Sequence, residues 1–221
     1  MPFRCDVFSE SAGRFHGRDL QADPTPRVVE CRSTAPALVL GSGQHFDVVD
    51  ADACERGGVD VVRRRSGGGA VHVASDTMVW FDVVVPAADP RFAPVASDVT
   101  RSMRWLGDNV ATALTMLGVD DVGVHDGPMD CAEWCRLICF AGIAPGEIVL
   151  GGTKLVGISQ RRTRSGARFQ CAVHTRWSPA STIELLRTPR PAVEELRDVA
   201  TVDVSVARAL PAALVAVLDA L

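Results

Sequence analysis

Of the twenty-three lysine and arginine residues in this 221-residue chain only Lys154 is a lysine, and it stands in the run Gly151-Gly152-Thr153-Lys154-Leu155-Val156-Gly157. Arginine elsewhere is sufficient to carry solvated positive charge. A lysine kept in a tight place is a candidate for chemistry that a wide planar guanidinium cannot do. A compact ammonium fits beside a developing oxyanion or a phosphate. The plain alternative is a surface lysine left by drift. A second candidate is the loop Arg63-Arg64-Arg65-Ser66-Gly67-Gly68-Gly69-Ala70-Val71. Three consecutive glycines weaken regular structure, so they mark backbone that takes positive φ or approaches a ligand closely. Their N–H groups can cradle phosphate or carboxylate oxygens, with a neighbouring arginine as a bidentate clamp. The glycines alone equally describe a flexible hairpin with a solvated arginine cluster. Neither the Gly-x-x-x-x-Gly-Lys-Ser/Thr phosphate loop nor the Gly-x-Gly-x-x-Gly dinucleotide pattern is present.

The third candidate is Cys139, fifteen residues before Lys154. A thiolate is a strong nucleophile once its pKa is lowered, and a nearby ammonium helps lower it. Against this, Cys131, Cys135 and Cys139 recur every fourth residue, which describes one face of a helix, and buried free cysteine is a common core residue. Cys-x3-Cys-x3-Cys is not a usual zinc or iron–sulfur spacing, so no metal is expected. His45, His125 and His174 show no partner spacing and read as surface or satisfied histidines. Cys171 shares a strand face with Phe169 and Val173 and reads as core.

These residues need a scaffold. Ala37–Leu40 and Val59–Val62 are short apolar or β-branched runs bounded by Pro and Gly, hence strands. Residues 70–74 and 78–85 read as a further strand pair closed by Pro86. Ser97 or Asp98 caps a helix running to about Leu117, with Val99, Met103, Leu106, Val110, Leu114 and Leu117 at helical spacing and Gly118 as its stop. Residues 147–150, 154–160 and 168–175 read as three more strands, and short helices are expected near 181–186 and 205–221. Strands in meanders with helices grouped between them imply an α+β fold. One domain over 1–221 is the economical reading, its motifs confined to residues 30–185 and residues 186–221 forming a short helical tail.

Hydrophobic residues make up 47% and charged residues 23% of the chain, as in an ordinary globular protein. The formal net charge of −4 argues against general nucleic-acid binding. No apolar run approaches the ~20 residues of a membrane span. The start, Met1-Pro2-Phe3-Arg4-Cys5-Asp6, lacks the apolar core of a signal peptide. Seven cysteines without that signal suggest free thiols in a reducing cytoplasm.

The stretch Leu38-Val39-Leu40-Gly41-Ser42-Gly43-Gln44, followed by Ala53-Cys54-Glu55-Arg56-Gly57-Gly58 and the run from Val59 to Val71, resembles the lipoate–protein ligase A family of the biotin/lipoate ligase superfamily. Gly152 to Arg162 resembles that family's second hallmark, the strand bearing its essential lysine. The resemblance implies a mixed, largely antiparallel sheet packed against helices. It implies transfer of a lipoyl or octanoyl group to a lysine of a lipoyl carrier domain, an H protein or an E2 subunit. Arg64, Ser66, Gly67, Gly68, Gly69, Ala70, Val71 and His72 would line the acyl or acyl-nucleotide site, and Lys154 would hold the acyl carbonyl. Two chemistries are implied. A ligase uses ATP and Mg²⁺ to activate free lipoate or octanoate as an acyl-adenylate. A transferase takes octanoyl from an acyl carrier protein and holds it as a thioester on a cysteine. Cys139-Phe140, then Pro145-Gly146-Glu147-Ile148-Val149, then Lys154 is similar to the transferase branch. The intact glycine triplet is similar to the ligases, and the ligase is the first label here.

The chain also departs from both patterns. His72-Val73-Ala74-Ser75-Asp76 stands where ligases carry an aromatic residue and His-Asp. Phe169-Gln170-Cys171-Ala172 replaces the transferases' Gln-His-Gly. A catalytically silent lipoate- or carrier-binding protein is the reading these losses motivate. Biotin as the acid is disfavoured by the missing Gly-Arg-Gly-Arg loop. Arg161, Arg162 and Arg164 offer either a docking patch for an acidic carrier or a solvated turn.

Overall fold

The computed structural model describes residues 1–131 and 133–221. In chain order the strands are β1 (Arg4–Glu10), β2 (Arg27–Ser33), β3 (Ala37–Leu40), β4 (Asp60–Arg63), β5 (Val71–Val73), β6 (Met78–Pro86), β7 (Val122–Val124), β8 (Asp130–Cys131), β9 (Gly142–Ile143), β10 (Ile148–Leu150), β11 (Thr153–Arg162) and β12 (Gly166–His174). The helices are α1 (Ala12–Gly17), α2 (Ala51–Gly57), α3 (Val99–Met116), α4 (Pro179–Ile183) and α5 (Val204–Asp219). A seven-stranded sheet runs β1-β2-β6-β12-β11-β10-β7, and a three-stranded sheet runs β4-β3-β5. In the large sheet β1 and β2 are parallel and the other neighbours antiparallel. The architecture is α+β with a mixed, largely antiparallel sheet.

Period-two alternation along β6 and β12 explains the layering. Phe81, Val83, Phe169, Cys171 and Val173 face α3 and α5, where they join Leu106, Val110, Leu114, Leu210 and Leu214 in the main core. Met78 and Trp80 face the other way, against Val39 and Val73 of the small sheet and Phe15 of α1. The Asp98 side chain caps α3 by accepting from the Arg101 N–H. Gly118, at φ +82°, turns the chain out of that helix.

Three expectations change. Residues 70–74 and 78–85 do form strands, but β5 and β6 lie in different sheets rather than pairing with one another. Among the described residues, Cys131, Cys135 and Cys139 do not share the helix their spacing suggested. Cys131 ends a strand, and Cys139 opens a 3₁₀ turn reaching Ala141. The reason is that backbone here finds partners across space: β8 pairs with β9, and Ile138 bridges Ala70. Cys131 and Cys135 are joined as a disulfide, so the seven cysteines are not all free. The sequence reading also missed β1, α1, β2 and α2. Among the described residues no helix is long and apolar enough to cross a membrane.

Candidate functional site

Lys154 is buried on β11 and makes three polar contacts. Its Nζ lies 2.7 Å from Glu147 Oε2 and donates to the carbonyls of Gly142 at 2.9 Å and Cys139 at 3.1 Å. It also stands 4.9 Å from the centre of the Phe140 ring. Glu147 is equally committed. Its Oε2 accepts from the Ala144 N–H at 2.7 Å and its Oε1 from the Ile158 N–H at 2.9 Å. A buried pair is tolerable only when its spare lone pairs and protons find partners, and here they do. Gly157 leaves room for this cluster, because a Cβ there would come within 3.0 Å of Phe140 Cζ.

The glycine loop packs on the backbone of Cys139. A Cβ on Gly69 would sit 2.7 Å from the Cys139 nitrogen, and one on Gly68 would sit 3.7 Å from its Sγ. Gly68 has φ +96°, a conformation that L side chains rarely adopt. The Ala70 N–H donates to Leu137 O at 2.8 Å, and the Cys139 N–H donates back to Ala70 O at 3.0 Å. This exchange pins Cys139 between the loop and the lysine strand.

Arg64 is buried and holds the loop rather than reaching into open space. Its guanidinium donates to the carbonyls of Val39 at 3.1 Å, Gly67 at 2.7 Å and Gly69 at 2.8 Å. Burial pulls its pKa below the usual arginine value. Ser66 Oγ lies 2.7 Å from Gln170 Oε1 and 2.9 Å from Ser159 Oγ, which ties the loop to β11 and β12.

Two cavities meet at Cys139. An outer one of about 600 Å³ is bordered by Gly67, Gly68, Gly69, Lys154 and Arg162. An inner slot of about 40 Å³ lies between the two sheets, among Val39, Val71, Met78, Trp80, Phe140 and Ala172. Cys139, Ile158 and Ser159 border both. The half-buried thiol therefore sits where an apolar chain in the slot would end and a polar group in the outer cavity would begin.

Of the residues singled out from sequence, Lys154, Cys139, Gly67, Gly68, Gly69, Arg64 and Val71 converge here. Ser66 and Ala70 support the site from beneath. His72 does not join them. It lines a separate cavity of about 480 Å³ with Arg56 and Arg190, its Nδ1 3.3 Å from Ser181 Oγ. His174 is buried, not at the surface, with its ring edge-on to Phe140 at 4.5 Å and Trp177 at 4.9 Å. It faces the carbonyls of Thr77 and Arg176 without a well-formed hydrogen bond, and burial lowers its pKa to about 4. Sequence reasoning missed Glu147 as the partner of Lys154, and Ser159, Gln170 and His16 as site residues. The only local hint was a glutamate preceding an apolar strand.

The family model described as the lipoyl protein ligase A/B catalytic domain matches residues 16–213. Octanoyltransferases LipM of Clostridioides difficile and Kyrpidia tusciae are 21% and 29% identical over 149 and 164 residues, 67% and 72% of this chain. The chain spans only 53% and 58% of their lengths. A bi-partite lipoate protein ligase from Thermoplasma acidophilum, studied with its E2 lipoyl domain, superposes with a TM-score of 0.70 at 19% identity, covering 98% of this chain and 82% of its own. A lipoate-protein ligase A bound with ATP superposes with a TM-score of 0.70 at 20% identity, covering 99% and 86%. At these identities the structural likeness is one of fold.

Proposed function

The chain belongs to the lipoyl protein ligase A/B catalytic-domain family, and on that premise we propose that it transfers an octanoyl or lipoyl group to a lysine of a lipoyl carrier domain through a thioester on Cys139. The observation that carries this is the position of Cys139, which borders both cavities while its carbonyl accepts from Lys154.

In the first step the Cys139 thiolate attacks the carbonyl carbon of an acyl thioester on an acyl carrier protein. The donor's thiolate leaves and takes up a proton. In the second step the amine of the target lysine attacks the Cys139 thioester, loses a proton to solvent and expels the Cys139 thiolate as the amide forms. Lys154 supplies the positive charge beside the oxyanion of each tetrahedral intermediate. Glu147 holds the Lys154 side chain in place. The chain would enter the inner slot, where each buried methylene contributes about 0.8 kcal/mol. At about 40 Å³ the slot is tight, so Met78, a flexible side chain on its wall, would swing to admit eight carbons.

The glycine triplet beside the outer cavity supports a second reading, in which ATP with Mg²⁺ forms an acyl-adenylate there. The engaged arginine weighs against it: the Arg64 guanidinium already donates to the carbonyls of Val39, Gly67 and Gly69, whereas a polyphosphate needs uncommitted donors.

Intact mass after incubation with octanoyl-acyl carrier protein tests the proposal. Wild type is expected to gain a hydroxylamine-sensitive octanoyl adduct that Cys139→Ser does not. ATP-dependent mass gain on a lipoyl domain, retained by Cys139→Ser and abolished in Lys154→Ala, would replace it with the ligase reading. No acylation under either condition would move a silent binding protein to first place.

A further inference from the structure

The disulfide between Cys131 and Cys135 grips a residue that holds Lys154. Cys131 closes β8, and its backbone pairs with Gly142 of β9 in a ladder only two residues long. Cys135 meets the same glycine from another side. A Cβ on Gly142 would sit 2.8 Å from Cys135 Cβ and 3.0 Å from Asp130 O. Gly142 is therefore enclosed by the two half-cystines, one through backbone and one through its side chain. Its carbonyl accepts from Lys154 Nζ at 2.9 Å, beside the carbonyl of Cys139 at 3.1 Å. Cys135 and Lys154 also border the same outer cavity. An isolated pair of short strands is marginal by itself, so the covalent link is a main tie on this corner. Cys135 is only 6% exposed, whereas Cys131 is exposed, which leaves one sulfur open to a dithiol from solvent.

We propose that Cys131 and Cys135 are positioning residues for Lys154, their disulfide acting as a redox-sensitive tie on the Gly142 carbonyl. Closed, it fixes that carbonyl under the ammonium. Opened, it lets β8 and β9 part, and Lys154 loses one of its polar anchors. In the opening step the thiolate of an external dithiol attacks the exposed Cys131 sulfur. The S–S bond breaks, and Cys135 leaves as a thiolate that takes a proton from solvent. The second thiol of the reagent then attacks the mixed disulfide, frees Cys131 as a thiol and closes the reagent into a cyclic disulfide. Two electrons pass from the dithiol to the cystine, and its two protons end on Cys131 and Cys135. Cys139, already a free thiol, takes no part. The coupling is reciprocal: a closed disulfide that favours the anchored lysine is itself favoured by that lysine, by the same factor. A disulfide that only strengthens the fold at large has no such dependence on Lys154.

A redox titration tests this without any transfer chemistry. Wild type and Lys154→Met would be equilibrated with reduced and oxidised dithiothreitol in set ratios, alkylated, digested and weighed. Trypsin cuts after Arg136, so Cys131 and Cys135 report in one peptide and Cys139 in the next. Lys154→Met should make the disulfide about fivefold or more easier to reduce. Val110→Ala, a loss in the main core, should leave the midpoint where it is. A Lys154→Met midpoint equal to wild type, or an equal shift in Val110→Ala, overturns the proposal. A second measurement needs no variant. Reduction of wild type should speed deuterium exchange at residues 142–143 and 154–155 while β6 stays protected, and faster exchange confined to 130–136 overturns it too. The effect on catalysis rests on the thioester reading. There, Cys131→Ser/Cys135→Ser should lower kcat about tenfold with little change in KM for the lipoyl domain, and an unchanged kcat counts against the tie. Failure of the thioester reading registers elsewhere, as no hydroxylamine-sensitive adduct on wild type, and leaves the titration and the exchange to decide.

Discussion

Removing the charge of Glu147 gives the sharpest test of how the lysine is held. In Glu147→Gln the shape survives, but Lys154 keeps its ammonium in a place where both side chains are 3% exposed. Breaking a buried pair by neutralising one partner costs about 3–5 kcal/mol, because the remaining charge is left uncompensated. The lone oxygen of the new amide can serve only one of the two N–H groups, of Ala144 and Ile158, that the carboxylate now accepts from. We expect a loss of about 4 kcal/mol, a large share of the roughly 5–15 kcal/mol that keeps a domain folded. Urea unfolding followed by tryptophan fluorescence would read it. With a slope of about 1–3 kcal/mol per molar, the midpoint should fall by more than 1 M. Lys154→Met removes the cation instead and leaves the carboxylate its two N–H donors. The double variant Glu147→Gln/Lys154→Met should be more stable than the two single losses predict, by about 1–3 kcal/mol. A Glu147→Gln protein within about 1 kcal/mol of wild type, or strict additivity in the double variant, would refute the argument that the pair acts as one buried unit.

The buried histidines set an acid limit. His16 and His174 titrate near 3 and 4 in the folded chain, below the ordinary 6.5. The unfolded chain therefore binds more protons, so the stability they contribute is complete above pH 6.5 and lost as pH falls toward 3–4. Between pH 6.5 and 5 the two together should remove about 3 kcal/mol, with nearly two protons taken up on unfolding at pH 5. Denaturation midpoints across that range, with His16→Phe and His174→Phe, would show it, and a flat profile would count against it. Gly69→Ala drives a Cβ into the backbone of Ile138 and Cys139. It should cost about 2 kcal/mol or more and slow alkylation of Cys139. Wild-type stability and thiol reactivity in that variant would show that the loop does not position the cysteine.

Much of the site could be read because its chemistry lies in short runs. The Arg-Ser-Gly-Gly-Gly loop, the isolated lysine and Cys139 were all visible as residue types in improbable surroundings, and β3, β4, α3 and β11 followed from local apolar periodicity. What failed depends on contacts across the chain. Glu147 becomes the partner of Lys154 only once β10 and β11 pair. His16 joins Gln170, 154 positions away, a distance over which no spacing rule operates. Arg64 read as a ligand clamp, since sequence cannot show that three backbone carbonyls already occupy its guanidinium. His72 was assigned by its place beside the loop. The alternation of a strand turned it to the opposite side from Val71.

The Ala70–Ile138 bridge has a consequence for how the thiol can move. Ile138 and Cys139 meet the small sheet's edge through an isolated two-residue bridge and the pair of backbone hydrogen bonds around Ala70, backed by the burial of Ile138 against Leu38 and Leu40. Amides within β6 and β12, by contrast, belong to ladders nine residues long. Free energies of local opening follow such differences in cooperativity. The Ala70 and Cys139 amides should then exchange with deuterium well before those of the central strands, by an excursion that leaves the large sheet closed. The nucleophile candidate would then sit on a segment that opens locally beside a rigid wall, and the exchange rate of its amide would report how firmly the glycine loop holds it.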